Sequence, residues 1–151
     1  MLDQTVPDFS LPATGGTDFH LSAHRGRPLL LYFYPKDSTP GCTTEAGQFR
    51  DLHGQFKKLG CEVYGISRDS LKSHDKFKAN LELPFELLVD ADEIACNLFA
   101  VIKQKKLYGK EVRGIERSTF LIDGDGVLRR EWRAVKADGH AASILEAVKS
   151  L

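Results

Sequence analysis

"PLLLYFYPKDSTPGCTTEAGQFRDLHGQFKKLG", residues 28–60, decides the fold. Residues 28–34 are a nearly continuous apolar run flanked by turn residues, as in a strand buried on both faces. From 43 to 59 the period changes, and Ala46, Phe49, Leu52, Phe56 and Leu59 recur at helical spacing. Gly60 follows as the residue expected just past the helix end, with Lys57 and Lys58 suiting its negative pole. Between strand and helix, Cys42 follows a Pro-Gly turn and opens the helical run. A thiol seldom sits there for packing alone.

The rest of the chain continues the alternation. "DFSL" (8–11), the turn "PATGGTD" and "FHL" (19–21) read as an N-terminal hairpin. "CEVYGIS" (61–67) is a second buried strand, "SLKSHDKFKANL" (70–81) a helix, "FELLVD" (85–90) a short strand and "DEIACNLFAV" (92–101) a helix. "STFLID" (118–123) and "VLRREWR" (127–133) flank "GDG", a hairpin signal. "ADGHAASILEAVKSL" (137–151) closes the chain as an amphipathic helix with Asp138 as its expected N-cap. This order predicts an α/β fold with a mixed central sheet, partly parallel and partly antiparallel, flanked by helices. A thioredoxin-like sheet with an N-terminal β-hairpin extension fits it, although periodicity alone does not exclude another α/β arrangement.

A length of 151 residues suits one domain, 1–151, with a proper hydrophobic core. Lys plus Arg equals Asp plus Glu at 21 each, so nothing favours nucleic acid or an acidic membrane as partner. No apolar run reaches the ~18 residues of a membrane span. The start "MLDQTVPDFSLPATGG" lacks the basic and apolar regions of a signal peptide, so a cytoplasmic location is expected. Cys42, Cys61 and Cys96 form no C-x-x-C pair, which argues against a zinc knuckle and against a dithiol oxidoreductase. No G-x-G-x-x-G or P-loop is present to hold phosphate.

The physics at Cys42 sets a requirement. N–H groups in the first turn of a helix lack intrahelical partners, and a thiolate there gains their hydrogen bonds and the positive end of the macrodipole. The dipole supplies only ~1 kcal/mol, less than one pKa unit, so the thiol stays mostly protonated near neutrality. A cation at 4 Å supplies up to ~4 kcal/mol at an effective dielectric near 20. An Arg or Lys must therefore arrive from elsewhere in the chain.

Pro35, Thr39 and Cys42 stand in the pattern P-x-x-x-T-x-x-C, which resembles the active-site signature of peroxiredoxins. "VPDFSLP" (6–12) is similar to the same family's N-terminus, and "FYPKDSTPGCTTEA" (33–46) with "YGKEVRGIERSTFLID" (108–123) resembles its PrxQ, or bacterioferritin comigratory protein, branch. The match runs nearly end to end. The resemblance implies a thioredoxin fold with an added N-terminal hairpin, and thiol-dependent reduction of hydrogen peroxide and organic hydroperoxides. It implies Cys42 as the peroxidatic nucleophile and Thr39 as the hydroxyl that orients the peroxide and helps hold the thiolate. Pro35 would shield the pocket from water, and Arg117 would be the missing cation. No metal or organic cofactor is required. The partners implied are a hydroperoxide and a thiol reductant (thioredoxin, glutaredoxin or glutathione), and the branch is often monomeric.

Each of these residues has a plainer reading. Cys42 alone is a small core residue, Thr39 a turn residue, Pro35 a strand terminator and Arg117 a solvated residue at a strand edge. Glu45 reads as a helix-start charge favoured by the dipole, with a pocket role secondary. Cys61 and Cys96 read as packing residues. His20 and His24 have i, i+4 spacing but sit in or beside the predicted hairpin, so no metal site is expected. Members of the branch that form an internal disulfide place a second cysteine five residues after the nucleophile or in the following helix. Here those positions are Gly47 and, aligned on "SHDKFKAN" (73–80), Lys78. The simpler expectation is one-cysteine chemistry with an external thiol as resolving agent. A disulfide of Cys42 with Cys96 or Cys61 and a non-enzymatic peroxide sensor are the alternatives.

Overall fold

The computed structural model describes the backbone of residues 1–151 and every side chain except that of Leu107. The strand expected at 28–34 is β3 (Leu29–Phe33), every residue of which is buried. Its pleat sends Leu29, Leu31 and Phe33 into one core and Leu30 and Tyr32 into a second core on the opposite face. β3 is the middle strand of a five-stranded sheet. On one side it pairs in parallel with β4 (Glu62–Ser67), which pairs in parallel with β5 (Leu87–Val89). On the other side it pairs antiparallel with β8 (Ser118–Ile122), which pairs antiparallel with β9 (Leu128–Trp132).

The helices are α1 (Pro40–Lys58), α2 (Leu71–Leu81), α3 (Ile94–Leu98) and α4 (His140–Lys149). Residues of α1, α2 and α4 line the core that holds Tyr32, while α3 and the N-terminal hairpin line the other. That hairpin is β1 (Ser10–Pro12) and β2 (Asp18–His20), paired antiparallel. This is the mixed, helix-flanked, thioredoxin-like sheet with an N-terminal extension that the sequence predicts. Among the described residues, no helix is long and apolar enough to cross a membrane.

Several boundaries differ from expectation for identifiable reasons. α1 begins at Pro40 rather than 43, because proline is pre-organised for the first helical position. Its end is as expected: Gly60 has φ +71°, Cys61 N–H bonds to Phe56 O at 3.0 Å and Gly60 N–H to Lys57 O at 2.9 Å, a Schellman closure. α3 is shorter than the predicted 92–101. Asp90 caps it by accepting from Ile94 N at 2.8 Å and Cys96 N at 2.7 Å, and Ala100 at φ +53° turns the chain away. Asp138 is not the N-cap of α4. Gly139, at φ +78°, precedes the helix without a side-chain cap, and Gln48 on α1 bridges the junction, donating to Asp138 and accepting from Gly139 N at 2.8 Å.

Residues 102–115 form an unpredicted hairpin, β6 (Ile102–Leu107) and β7 (Lys110–Ile115). Its two-residue turn has Tyr108 at φ +52° and Gly109 at φ +78°, the left-handed pair that a tight hairpin demands.

Candidate active site

Parallel strands β3, β4 and β5 end at one edge of the sheet, the side on which doubly wound folds carry their chemistry. The chain leaves β3 through Tyr34–Thr39 and enters α1, which puts Cys42 in the helix's first turn. The first helix bond is Thr43 N–H to Thr39 O at 2.9 Å, so the N–H groups of Gly41 and Cys42 point out of the helix mouth. β8 runs antiparallel to β3, so Arg117, one residue before it, arrives at the same edge. Its guanidinium fork divides between two acceptors: Nη2 lies 3.4 Å from Cys42 Sγ, and Nη1 donates to Glu45 Oε1 at 2.6 Å. A Cβ on residue 41 would stand 3.0 Å from Nη2, so Gly41 makes room for the arginine.

Arg117 is thus the cation that lies beside the Cys42 sulfur. Cys42 is only 1% exposed and Glu45 is fully buried. Burial pushes Glu45 up to about 7, with Arg117 pulling the other way through charge and hydrogen bond. Burial works against the charged form of Arg117, but Glu45 and Cys42 more than offset it and hold the arginine above its ordinary range. Glu45, read from its position as a helix-start charge favoured by the dipole, is a buried partner of Arg117. Its second oxygen, Oε2, and the hydroxyl of Tyr32 on the adjoining strand are both buried without a partner.

Thr39 is part-exposed, and its hydroxyl donates to Lys36 O at 2.8 Å. The hydroxyl hydrogen is thus committed to the backbone, which leaves the oxygen as an acceptor. Pro35 is exposed on the loop beside it.

The loop itself is held by groups that the sequence did not single out. Asp37 is buried and accepts from Tyr34 Oη at 2.6 Å, from Ser73 Oγ at 2.8 Å and from His74 Nδ1 at 2.6 Å. His74 Nε2 meets Leu88 O at 2.8 Å, so both ring nitrogens are engaged and the ring is fixed between the loop and β5. Burial works to raise Asp37, but His74, Tyr34 and Ser73 prevail and hold its carboxyl below the usual range. Asp37, Asp69 and His74 bring three potential metal-ligand atoms within 4.8 Å of one another. Both nitrogens of His74 are already spent on Asp37 and Leu88, and Asp69 accepts from Asp37 N at 2.9 Å. On the far side of the site, His140 shares a 2.8 Å hydrogen bond with Thr119 and is pushed down to about 4 by burial, with Arg117 adding to the effect.

The remaining candidates lie elsewhere. Cys61 stands beyond the opposite end of α1, and its thiol is pushed up to about 12 by burial and by Glu62. Cys96 belongs to the core on the other face of the sheet and is pushed up by burial and by Asp90. All three cysteines are free. His20 bonds Ser10 at 2.7 Å, while His24 pairs with Glu62 and stacks on Phe19, so the two histidines serve separate contacts. Lys78 pairs with Glu86 at 2.6 Å, and Gly47 is part-exposed on α1 beside Arg50.

Residues 2–131 match the AhpC/TSA family. The chain is 52% identical over 143 residues to peroxiredoxin Bcp of Xanthomonas campestris, covering 95% of this chain and 89% of that one. It is 49% identical over 150 residues to peroxiredoxin Bcp of Bacillus subtilis, covering 99% and 96%. Among solved structures, the X. campestris bacterioferritin comigratory protein, studied for alkyl peroxide reduction, superposes with a TM-score of 0.90 at 51% identity, covering 94% of this chain and 90% of that one. A cysteine-to-serine variant of Xylella fastidiosa PrxQ superposes at 0.95 with 43% identity, covering 99% and 96%. The chain belongs to the AhpC/TSA family and, within it, to the peroxiredoxin Q, or bacterioferritin comigratory protein, branch.

Proposed function

We propose that this thiol-dependent peroxidase reduces hydrogen peroxide and organic hydroperoxides at Cys42, and that an external thiol completes its cycle. The observation that carries the reading is the Arg117 fork, with one nitrogen 3.4 Å from Cys42 Sγ at the mouth of α1. The Cys42 thiolate attacks one peroxide oxygen, the O–O bond breaks, and the other oxygen leaves as alkoxide or hydroxide and takes a proton to become alcohol or water. Sulfur loses two electrons, the peroxide gains them, and Cys42 becomes a sulfenic acid. Arg117 and the free N–H groups of Gly41 and Cys42 stabilise the charge that moves onto the leaving oxygen. Thr39, with its own hydrogen on Lys36 O, accepts the peroxide O–H and sets the angle of approach. Pro35 borders the same loop and limits the access of water.

The one-cysteine reading draws support from where the other thiols lie. A disulfide needs Cα atoms within about 7 Å. Between Cys42 and the end of α1 at Lys58 stand some 16 residues of helix, about 24 Å of rise, before Cys61 is reached. Cys96 is separated from Cys42 by the sheet itself. An incoming thiol therefore condenses with the sulfenic acid to give a mixed disulfide and water, and a second thiol returns Cys42 to its reduced form. Without an internal partner, the sulfenic acid is open to further oxidation by excess peroxide.

The test is thiol-supported peroxide consumption by the wild type and by Cys42→Ser. Catalytic turnover in the first and none in the second is expected. Stoichiometric oxidation of Cys42 without turnover would make the protein a sensor instead.

A further inference from the structure

The β6–β7 hairpin is hydrogen-bonded to no other strand among the described residues, and it stands at the Cys42 edge of the sheet. Its base is closed by Glu116 N–H to Val101 O at 2.8 Å, and β7 leads directly to Arg117. Arg113 pairs with Glu93, which follows β5, and Glu93 also accepts from Arg68, which follows β4, at 3.0 Å. Every anchor therefore lies at the edge where the parallel strands end. Two strands of six residues reach about 20 Å beyond that base.

The register divides the hairpin into two unlike faces. Ile102, Gln104 and Lys106 share one face with Glu111, Arg113 and Ile115. That face is the anchored one: Ile115 is buried, Ile102 packs on the core, and Arg113 holds Glu93. The other face carries Lys103, Lys105 and Lys110 and no acidic residue, with Val112 directly opposite Lys105. All three lysines are exposed, and none makes an ion pair among the described residues. At the tip, Tyr108 is 97% exposed. The chain as a whole has net charge +0, so this face is a local polarisation rather than a share of a general excess.

We propose that the lysine face and Tyr108 form the docking surface for the protein dithiol that reduces oxidised Cys42, and that this partner presents an acidic face around its reactive sulfur. The proposal rests on the one-cysteine reading above: with no internal thiol in reach, a second molecule must bring sulfur to the Cys42 edge, where the hairpin stands. Clustered positive charge on that approach raises the rate of productive encounter with an acidic partner. Tyr108 supplies the broad amphipathic contact that anchors an interface. A second copy of this chain would set lysine against lysine. Anionic membranes are held by clusters of about 4–8 Lys or Arg, more than this face carries.

The test compares the wild type with the triple variant Lys103→Glu, Lys105→Glu, Lys110→Glu, and separately with Tyr108→Ala. Cys42 is first oxidised with peroxide and then reduced either by an acidic-faced thioredoxin or by dithiothreitol, followed by stopped flow. Charge reversal is expected to slow reduction by thioredoxin about tenfold at low salt, with the gap closing as ionic strength rises towards 0.15 M. Tyr108→Ala is expected to weaken thioredoxin saturation. Oxidation by peroxide and reduction by dithiothreitol should not change in either variant. An unchanged thioredoxin rate in the triple variant overturns the proposal, as does binding to anionic vesicles or self-association that the variant loses while that rate stays the same. Failure of the wild type to be oxidised by peroxide would instead overturn the reading of the Cys42 site itself.

Discussion

Replacing Glu45 with glutamine should make the protein's stability less dependent on pH, by an amount that the structure sets. Glu45 lies one turn after Cys42, fully buried, with Oε1 on Arg117 and Oε2 without a partner. Burial raises it from an ordinary 4.5 to about 7. The native state thus keeps a proton that the unfolded chain has already released, so stability falls as pH rises across that interval. The contribution is complete below the unfolded value of 4.5 and is lost as pH passes through about 7. Each pKa unit is worth about 1.4 kcal/mol, so the interval amounts to roughly 3 kcal/mol. For a chain of this size that is on the order of 10 °C in Tm. Urea unfolding of the reduced protein at a series of pH values measures it. The Glu45→Gln variant has no carboxylate to ionise, so its advantage over the wild type should grow by roughly 3 kcal/mol between pH 4.5 and neutrality or just above. Parallel stability curves for the two proteins would refute the reasoning, since they would mean that the carboxylate ionises no less readily in its buried place than in water.

Other perturbations probe the parts around it. His74→Gln disturbs one of the hydrogen bonds that hold the buried Asp37 carboxylate below its usual range, and leaving such a group short of a partner costs about 1–3 kcal/mol; chemical denaturation at neutral pH should register that loss. Because Asp37 titrates below its ordinary range, the wild-type advantage should fade as pH drops through the acid region, and an advantage that persists there would contradict the assignment. Gly41→Ala sets a methyl group 3.0 Å from Arg117 Nη2, which should displace the guanidinium and slow Cys42 oxidation roughly tenfold with little loss of stability; an unchanged oxidation rate would mean that Arg117 need not hold this position. Gly47→Cys restores a thiol five residues after Cys42, but five residues of wound helix rise about 7.5 Å, past disulfide reach. Peroxide should therefore link the two thiols only as the first turns of α1 open, and backbone hydrogen exchange in those turns should rise on oxidation.

The parts of the fold that sequence reading reached are those whose signals are local. β3 shows as an apolar run and α1 as a change of period, and Gly60 marks the end of α1 because its left-handed backbone suits glycine. The β6–β7 hairpin escaped for the opposite reason: lysines occupy both of its faces, so no apolar alternation announces it, and the tyrosine in its turn adopts a conformation rarely signalled by that residue. α3 ends at Leu98, and Ala100 just beyond it reaches the left-handed region without the glycine that would have advertised it.

The candidate site divides in the same way. Cys42 at a helix mouth could be argued from the stretch that holds it, and Arg117 required the likeness to a family, because the two are 75 residues apart. The burial of Glu45 and the Asp37–His74 pair could not be read at all. A carboxylate or imidazole looks solvent-facing in sequence until its partner is known, and here the partners lie 72 and 37 residues away.

The central claim is that Cys42 is oxidised alone and waits for another molecule. Intact-mass and peptide mass spectrometry, after one equivalent of hydroperoxide and rapid trapping with a sulfenic-acid reagent, tests it most directly. The account predicts a single adduct on Cys42, with Cys61 and Cys96 still free thiols and every disulfide absent until an external thiol is added. A Cys42–Cys61 or Cys42–Cys96 cross-link formed within the chain would contradict it.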